Sequence, residues 1–290
     1  MNLEIFISCH KDYYIPEISF LKGIQVGAYF SDDIFKSMLQ DNTGENISNL
    51  NRSYCELTGQ YWVWKNRRRD VVGFFHYRRY LDFGSHSGRP YRIDTLPDKE
   101  KLLNCGYELN YLYNLAQEYD LIIPKGEKLF ESVYSQYISS NYHHKRDIDL
   151  IIDILIKKYP QMTEYVYEYL NGRIAYWGNI YVMKWPVFNA YMEWLFDLLS
   201  TFDKRKNVKG YEKQDLRVNG YIAERLFGIY LTYILSNNKY KVLEVEKIHY
   251  EILEGNYLGY LKKKFINFLL PPESISRNFV KKCVRIVLNK

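Results

Sequence analysis

The sequence predicts an α/β fold in which helices cover both faces of a central, mostly parallel sheet. Short apolar runs of strand length alternate along the chain with longer helix-like segments, and the sequence contains no internal repeat. Hydrophobic residues make up 47% of the 290 residues, which is enough to bury a sizeable core and to exclude wholesale disorder. Alternation of this kind is typical of sheets whose parallel strands are joined by helices.

The predicted elements begin almost at the first residue. Strands are predicted over residues 3–8, 24–30, 71–75, 119–124, 176–183 and 241–246. Helices are predicted over 54–66, 99–118, 147–159, 186–202 and 220–235. Ser53 and Glu56 have the spacing of a capping box, and Pro186 stands at the first turn that proline favours. Segments 41–46 and 84–100 are rich in turn-forming residues and predict loops.

Charge divides the chain near residue 260. The net charge is +6, and residues 261–290 carry eight lysines or arginines against one acid, Glu273. We therefore predict a near-neutral domain over 1–260 and a basic amphipathic tail over 261–290. Basic residues interleaved with apolar ones favour a tail that contacts an anionic membrane surface, and a terminal helix docked on the body is the alternative. A near-neutral body argues against a nucleic acid partner, which would need a basic face.

The cysteines and the amino terminus predict a cytoplasmic protein. Cys9, Cys55, Cys105 and Cys283 lie far apart and form no CxxC pair, which favours reduced thiols. The apolar run at the amino terminus is too short for a signal sequence, and the segment is too acidic. No apolar run approaches the roughly 20 residues that a membrane-spanning helix needs.

The segment after residue 70 is the strongest candidate for a ligand site. Its apolar strand ends in His76, Tyr77, Arg78, Arg79 and Tyr80. Ligands of open α/β sheets bind outside the carboxyl ends of the strands, and paired guanidinium groups match phosphate oxygens. The segment predicts a phosphorylated, ring-bearing ligand. The alternative is that the arginines form surface salt bridges and that His76 is a structural histidine.

Two further loops carry candidate donor-binding residues. His10 and Lys11 follow the first predicted strand, and Asp41 and Asn42 begin the loop 41–46. Short carboxylate and amide side chains can bind sugar hydroxyls, but the same residues also make turns for local reasons. The chain has no glycine-rich phosphate fingerprint, so a dinucleotide or P-loop cradle is disfavoured.

The second half of the chain supplies candidate catalytic and acceptor-binding residues. His143 and His144 precede an Asp-x-Asp triplet, Asp147 and Asp149, which in one helix would point about 200° apart and so could not chelate one metal. Glu224 lies in a helix with Gly220 and Gly228, which suggests that something approaches that helix closely. A carboxylate there could act as a general base. The alternative is an exposed glutamate that pairs with Arg217 or Arg225.

Seven blocks of the sequence together resemble a bacterial family, the domain-of-unknown-function 4422 family. They cover roughly residues 3–250 and read IFISCHKDYYIPE, DNTGENIS, SYCELTGQYWVWKN, VGFFHYRRYLDF, YDLIIPK, HHKRDIDLIIDIL and GYIAERLFGIYL. The resemblance implies a glycosyltransferase of capsule, exopolysaccharide or O-antigen synthesis with a GT-A-like nucleotide-sugar-binding fold. Galactofuranosyl transfer is reported within the family.

The same resemblance implies roles for the candidate residues. It places His10 and Lys11 near the nucleotide, and it places His76, Arg78 and Arg79 where other GT-A enzymes keep an Asp-x-Asp metal motif. This departure leaves two possibilities open. The cations could neutralise the diphosphate without a metal, or His76 could still be a ligand of Mn²⁺ or Mg²⁺.

The resulting hypothesis is a hexosyltransferase that acts at the inner face of the plasma membrane. It would move a hexosyl group from a UDP-sugar to a lipid-linked oligosaccharide, with Glu224 as the base of an inverting reaction. Asp41 and Asn42 would hold ribose or sugar hydroxyls, and the candidates for acceptor or sugar contact are His143, His144, Asn179 and Arg217. The alternatives are a non-catalytic sugar- or nucleotide-binding protein and a phosphotransferase.

Overall fold

The fold is known from a computed structural model that describes residues 2–84, 90–94 and 96–251, together with 266, 269–270, 276–277 and 280. The predicted boundary at residue 260 and almost all of the predicted tail 261–290 lie outside the described residues.

The described ranges contain eleven strands and nine α-helices. The strands are β1 (Leu3–Cys9), β2 (Leu21–Gln25), β3 (Leu39–Gln40), β4 (Val71–His76), β5 (Arg79–Asp82), β6 (Tyr91–Asp94), β7 (Leu121–Pro124), β8 (Glu127–Lys128), β9 (Ile174–Ala175), β10 (Tyr181–Lys184) and β11 (Val242–Tyr250). The helices are α1 (Asn51–Tyr54), α2 (Leu57–Asn66), α3 (Lys99–Asn104), α4 (Leu109–Glu118), α5 (Val133–Ser139), α6 (Lys145–Lys158), α7 (Thr163–Asn171), α8 (Trp185–Arg205) and α9 (Val218–Ser236).

Nine strands form one mixed sheet, in the order β10-β7-β11-β5-β4-β1-β2-β3 with β6 beside β11. β1 is parallel to β2 and β4, and β11 is parallel to β6 and β7. β10 is antiparallel to both β4 and β7, and β5 is antiparallel to β4 and β11. The α/β class is confirmed, but the sheet is mixed rather than mostly parallel, because β5 and β10 each lie between two strands that run in the opposite direction.

The sheet separates two hydrophobic cores. Alternate residues of β4 point to opposite faces, so that Val72 and Phe74 pack in one core while Val71 and Phe75 pack in the other. The first core lies under α2 and α5 to α9, and the second lies under α3 and α4. This three-layer arrangement fixes the carboxyl ends of β1 and β4 at one edge of the sheet.

Three features at the site were not predicted. The strand that ends at His76 turns back at once through Tyr77 and Arg78 into β5. The strand predicted over 176–183 begins only at Tyr181, which leaves Gly178 and Asn179 in a turn. The helix predicted over 54–66 breaks at Cys55, whose φ of 51° and ψ of −126° are outside the helical region. Ser53 therefore lies inside α1 and caps nothing, and Glu56 stands at the break between the two helices.

Candidate active site

A tight β-hairpin presents the two arginines at the edge of the sheet. His76 of β4 pairs with Arg79 of β5, so that Tyr77 and Arg78 form the turn between them. Neither guanidinium has a carboxylate within salt-bridge distance among the described residues, and the Nε of Arg78 is buried without a hydrogen-bond partner. Two neighbouring cations that lack an acidic partner are suited to bind an external anion.

His76 is a neutral neighbour of these cations. Burial lowers the pKa of His76 well below 6.5, and the charges of Arg79 and Arg78 lower it further. The Nδ1 atom of His76 is buried and has no hydrogen-bond partner. In its neutral form the ring can accept a hydrogen bond or donate one, but it adds no charge to the site.

An aromatic stack borders the arginine hairpin. The rings of Tyr13 and Tyr77 lie parallel, with their centroids 3.7 Å apart, and His10 meets Tyr77 edge-on at 5.2 Å. The guanidinium carbon of Arg78 lies 5.0 Å from the centre of the Tyr77 ring. Lys11 follows His10 on the exposed loop. The structure therefore brings His10 to the hairpin, where flat rings and cations share one edge.

A turn that precedes β10 connects the hairpin to the other candidate residues. Because Tyr181 of β10 pairs with Phe74 of β4, the preceding Gly178 and Asn179 lie beside the end of β4. Gly178 has a φ of 92°, and a Cβ atom there would lie 3.3 Å from Nη1 of Arg79. The side-chain amide of Gln60 donates to the carbonyl of Asn179 at 3.0 Å. Gly178 thus permits both the backbone conformation and the close approach of Arg79.

Glu224 lies on the opposite side of this turn. Its Oε1 accepts a hydrogen bond from the amide of Gly178 at 2.7 Å, and its Oε2 accepts one from Nη1 of Arg225 at 3.1 Å. The Arg225 guanidinium is buried between the rings of Tyr137 and Trp177. Both oxygens of Glu224 are therefore held by fixed donors, and one of these donors is Arg225, which was expected as a partner of this glutamate.

Glu56 is a second carboxyl group at the turn, and the sequence did not single it out for chemistry. Its Oε1 accepts a hydrogen bond from Nδ2 of Asn179 at 2.7 Å. Burial raises the pKa of Glu56, and the nearby charge of Glu224 raises it further. The helix break at Cys55 is what directs this side chain to the site, and no break was predicted there.

Cys55 and Arg217 lie next to Glu56. Nε of Arg217 is 3.3 Å from Sγ of Cys55, and a Cβ atom on Gly220 would lie 3.1 Å from the same sulfur. A Cβ atom on Gly228 would overlap the ring of Tyr169. The groups that approach α9 closely are therefore side chains of the protein itself, Cys55 at Gly220 and Tyr169 at Gly228. Arg217, at the exposed start of α9, forms the rim of the site.

The predicted histidines differ in their distance from this rim. His143 stacks on Tyr137 at 4.5 Å and meets Tyr221 edge-on at 4.2 Å, and Tyr221 lies beside Arg217. His144 instead stacks on Tyr211 and lies 3.5 Å from Asp215. Thus His143 reaches the neighbourhood of Glu224, whereas His144 belongs to a separate polar cluster.

The two aspartates of the Asp-x-Asp triplet have different partners in α6. Asp147 is buried and accepts a hydrogen bond from the Tyr211 hydroxyl at 2.6 Å. Asp149 accepts one from the Tyr134 hydroxyl at 2.8 Å. Each carboxylate is thus engaged on its own side of the helix.

Asp41 is a structural residue in this conformation. Its side chain is fully buried and accepts hydrogen bonds from the amides of Gly27 and Ala28 and from the hydroxyls of Ser48 and Thr58. Direct contact with a ribose is therefore not available to Asp41 here, because all of these donors belong to the protein. Asn42 is exposed beside it, and its contact with a sugar hydroxyl stays a prediction.

His249 is another residue at the site that was missed. It pairs with Arg79 across the β11–β5 ladder, and its charge contributes to the lowered pKa of His76. The last strand was predicted to end at residue 246, but β11 continues to Tyr250. The continuation was not predicted because Lys247 and His249 interrupt the apolar pattern.

The side chains around the arginine hairpin are poorly suited to ligate a divalent metal. Within the described ranges, no group of three or more His, Cys, Asp or Glu side chains is arranged to hold an ion. His76 offers a nitrogen atom at the hairpin, and the two guanidinium charges of Arg78 and Arg79 act on it. These charges repel a divalent cation, so the described residues fit an anion here better than a metal.

Among the described residues, no helix has both the length and the apolarity to cross a membrane.

Comparison with solved structures gives a strong match. The chain is similar to the apo structure of a WbbM bifunctional glycosyltransferase, with a TM-score of 0.81 and 31% sequence identity. The match covers 86% of this chain and 45% of that one, so this chain spans less than half of that protein's length.

Family assignment rests on the greater part of the sequence. Among curated proteins, none matches the chain. The sequence profile of a domain of unknown function, DUF4422, matches residues 4–238, which include the arginine hairpin, both glutamates and the Gly178–Asn179 turn. The chain therefore belongs to the DUF4422 family.

Proposed function

We propose that this protein is a glycosyltransferase of bacterial surface polysaccharide synthesis. It moves a hexosyl group, with galactofuranosyl as the first candidate, from a UDP-sugar to a lipid-linked oligosaccharide in capsule, exopolysaccharide or O-antigen synthesis. The similarity to a bifunctional glycosyltransferase, at 31% identity over most of this chain, supports the reaction class. Membership of the DUF4422 family agrees with the resemblance found in the sequence.

The observation that carries the proposal is the position of the arginine hairpin. Arg78 and Arg79 have no acidic partner among the described residues, and they lie across the Gly178–Asn179 turn from two carboxyl groups. Transfer of a glycosyl group needs positive charge beside the leaving diphosphate, where negative charge develops, and a proton acceptor for the attacking hydroxyl. Both requirements are met within one short stretch of the site.

In the proposed reaction, the acceptor oxygen attacks the anomeric carbon and loses its proton to the carboxyl pair formed by Glu56 and Glu224. The bond between the anomeric carbon and the diphosphate oxygen breaks, and its electron pair leaves with UDP. Arg78 and Arg79 stabilise the charge that develops on this leaving group. Neutral His76 donates or accepts a hydrogen bond at the same edge. This version of the reaction uses the guanidinium groups in the place of a metal.

The aromatic stack provides a surface for the nucleotide. Tyr13 and Tyr77 present flat rings next to His10, and Lys11 adds a positive charge on the same exposed loop. A uracil or ribose ring can pack on such rings while the diphosphate meets the arginines. Arg217, His143 and Tyr221 form the rim on the opposite side, and we assign this rim to the acceptor.

The tail over 261–290 completes the proposal. Its eight basic residues are suited to an anionic membrane surface, where a lipid-linked acceptor is found. The enzyme is accordingly proposed to act in the cytoplasm, at the inner face of the plasma membrane.

The test is release of UDP from a panel of UDP-hexoses, measured with and without a lipid-linked or synthetic oligosaccharide acceptor. We expect acceptor-dependent release with at least one donor, and we expect the activity to persist in excess chelator. Binding of UDP without turnover of any donor would favour a non-catalytic binding protein. Transfer of phosphate to the product would identify a phosphotransferase. Loss of activity in chelator, restored by Mn²⁺ or Mg²⁺, would contradict the metal-free version.

A further inference from the structure

The helix break between α1 and α2 concentrates unusual geometry next to one carboxyl group. Cys55 combines a φ of 51° with a ψ of −126°, a backbone conformation that is strained for a residue with a side chain. The carbonyl of Cys55 accepts a hydrogen bond from Nδ2 of Asn51 at 2.7 Å. The hydroxyl of Thr58 donates to buried Asp41 at 2.6 Å and holds the start of α2. These contacts maintain the strained residue that immediately precedes Glu56.

Glu56 and Glu224 are held in different ways. Glu224 has a fixed donor on each oxygen, the amide of Gly178 and the guanidinium of Arg225. Glu56 has a single side-chain partner among the described residues, Asn179, which occupies Oε1. The carboxyl group also accepts a hydrogen bond from its own backbone amide, and no side chain among the described residues donates to Oε2. Glu56 therefore has fewer fixed donors from other residues than Glu224, so its carboxyl group is the better placed of the two to take a proton from a bound hydroxyl.

Asn179 provides a second observation that the turn orients Glu56. This asparagine is 2% exposed, and its φ is 50°. Its amide nitrogen contacts Glu56, while its Oδ1 is buried without a partner. A buried unpartnered oxygen costs stability, so it needs a compensating role. Orientation of Glu56 is the role that the hydrogen bond shows.

We propose that Glu56 is the general base of the transfer reaction and that Glu224 is its positioning partner. The assignment rests on the proposed glycosyltransferase function and goes beyond the sequence-based choice of Glu224. Oε2 of Glu56 takes the proton of the acceptor hydroxyl as the acceptor oxygen bonds to the anomeric carbon, and the electron pair of the broken bond leaves with UDP. Glu224 holds the Gly178 amide and contributes the negative charge that strengthens Glu56 as a base.

The electrostatic surroundings agree with this division. Burial raises the pKa of Glu56 and so moves this carboxyl towards the neutral range in which a general base is effective. The titratable and charged groups that face Glu56 from the neighbouring elements are Cys55, Tyr181, Tyr191, Arg217 and Glu224. The hydrogen bonds from Asn179 and from the backbone amide of Glu56 itself lower the pKa of Glu56, as does the charge of Arg217 at the exposed rim, but burial and Glu224 outweigh them.

The test compares Glu56→Gln, Glu56→Asp and Glu224→Gln with Glu164→Gln, a control on the exposed surface of α7. Turnover, UDP affinity and the pH dependence of turnover are measured for each. For Glu56→Gln we expect turnover to fall at least about 100-fold with UDP affinity unchanged, because a general base contributes to the chemical step and not to nucleotide binding. Glu56→Asp should recover part of the loss, and the control should match wild type.

The pH profile separates a base from a structural residue. In wild type, turnover should rise with pH through a group whose pKa lies above the ordinary 4.5 of a glutamate. Glu224→Gln should move that rise to lower pH, because it removes a negative charge beside Glu56. Glu56→Gln should remain folded with an unfolding midpoint at neutral pH equal to or above that of wild type, since it removes a charge that burial disfavours.

Two results would overturn the assignment. One is a folded Glu56→Gln variant that keeps more than about a tenth of wild-type turnover. The other is a pH limb that survives in Glu56→Gln and disappears in Glu224→Gln. If wild type binds UDP but transfers no sugar, the proposed function itself fails, so the two failures are distinguishable.

Discussion

Removal of either arginine of the hairpin should weaken UDP binding by a predictable amount. Arg78 and Arg79 have no acidic partner among the described residues, so their substitution breaks no ion pair within that part of the protein. A hydrogen bond to a charged group contributes about 1.5–3 kcal/mol, and 1.4 kcal/mol is about tenfold in Kd. Arg78→Ala and Arg79→Ala should therefore each raise the Kd for UDP by about 10- to 150-fold. Lysine at either position should cause a smaller loss, because it keeps the charge without the fork.

The assay is isothermal titration calorimetry with UDP and, separately, with uridine. Uridine lacks the diphosphate, so its affinity should change little in the same variants. Arg68→Ala is the matched control, because Arg68 is exposed and precedes the amino end of β4, about 20 Å along the strand from the hairpin. The salt dependence of UDP affinity should also decrease in the hairpin variants. Folded Arg78→Ala and Arg79→Ala proteins that bind UDP within about twofold of wild type would refute the diphosphate site.

Three further predictions concern stability. Because burial lowers the pKa of His76, the unfolded chain takes up a proton near pH 6.5 that the folded protein does not; stability should be lost as pH falls below about 6.5, and His76→Asn should flatten this loss in pH-dependent urea unfolding. Gly228→Ala should destabilise by about 1–3 kcal/mol in thermal or urea unfolding, because its Cβ atom would overlap Tyr169, whereas Gly84→Ala should be nearly neutral; equal effects would contradict the packing. Asp41→Ala should lower the unfolding free energy by about 3 kcal/mol or more by leaving four internal donors unpaired, and Asp41→Asn should lower the melting temperature without changing UDP affinity if Asp41 is structural.

Local patterns predicted most of the strands and helices and placed the arginine segment at the end of a strand. The apolar run before His76 was long enough to predict its strand, and the residues that follow it were correctly expected at the edge of the sheet. The hairpin was not predicted, because Tyr77 and Arg78 are not typical turn residues. Its geometry depends on β11, which is distant in sequence and provides the second ladder for Arg79.

Long-range packing explains what the sequence could not reveal. The sequence places Glu56 in a capping box, but the structure breaks the helix at Cys55. The break is accompanied by contacts of Cys55 with Asn51 and Arg217 and of Glu56 with Asn179, none of which a local pattern contains. The propensity of this segment for helix was overridden by tertiary contacts. In the same way, a helical projection could place Glu224 but could not show which of its neighbours would hold it.

The pairing of Arg79 with His249 has a consequence for the order of events during folding. The two residues are separated by about 170 positions, and closing so long a loop is slow because its entropy is lost before the contact forms. A nascent chain that ends before residue 242 has β1, β4 and the hairpin sequence but lacks the strand that flanks β5. We therefore expect nucleotide affinity to arise late in synthesis, after the glutamates and the helical layers are already in place, so that partly made chains would not compete for the sugar donor.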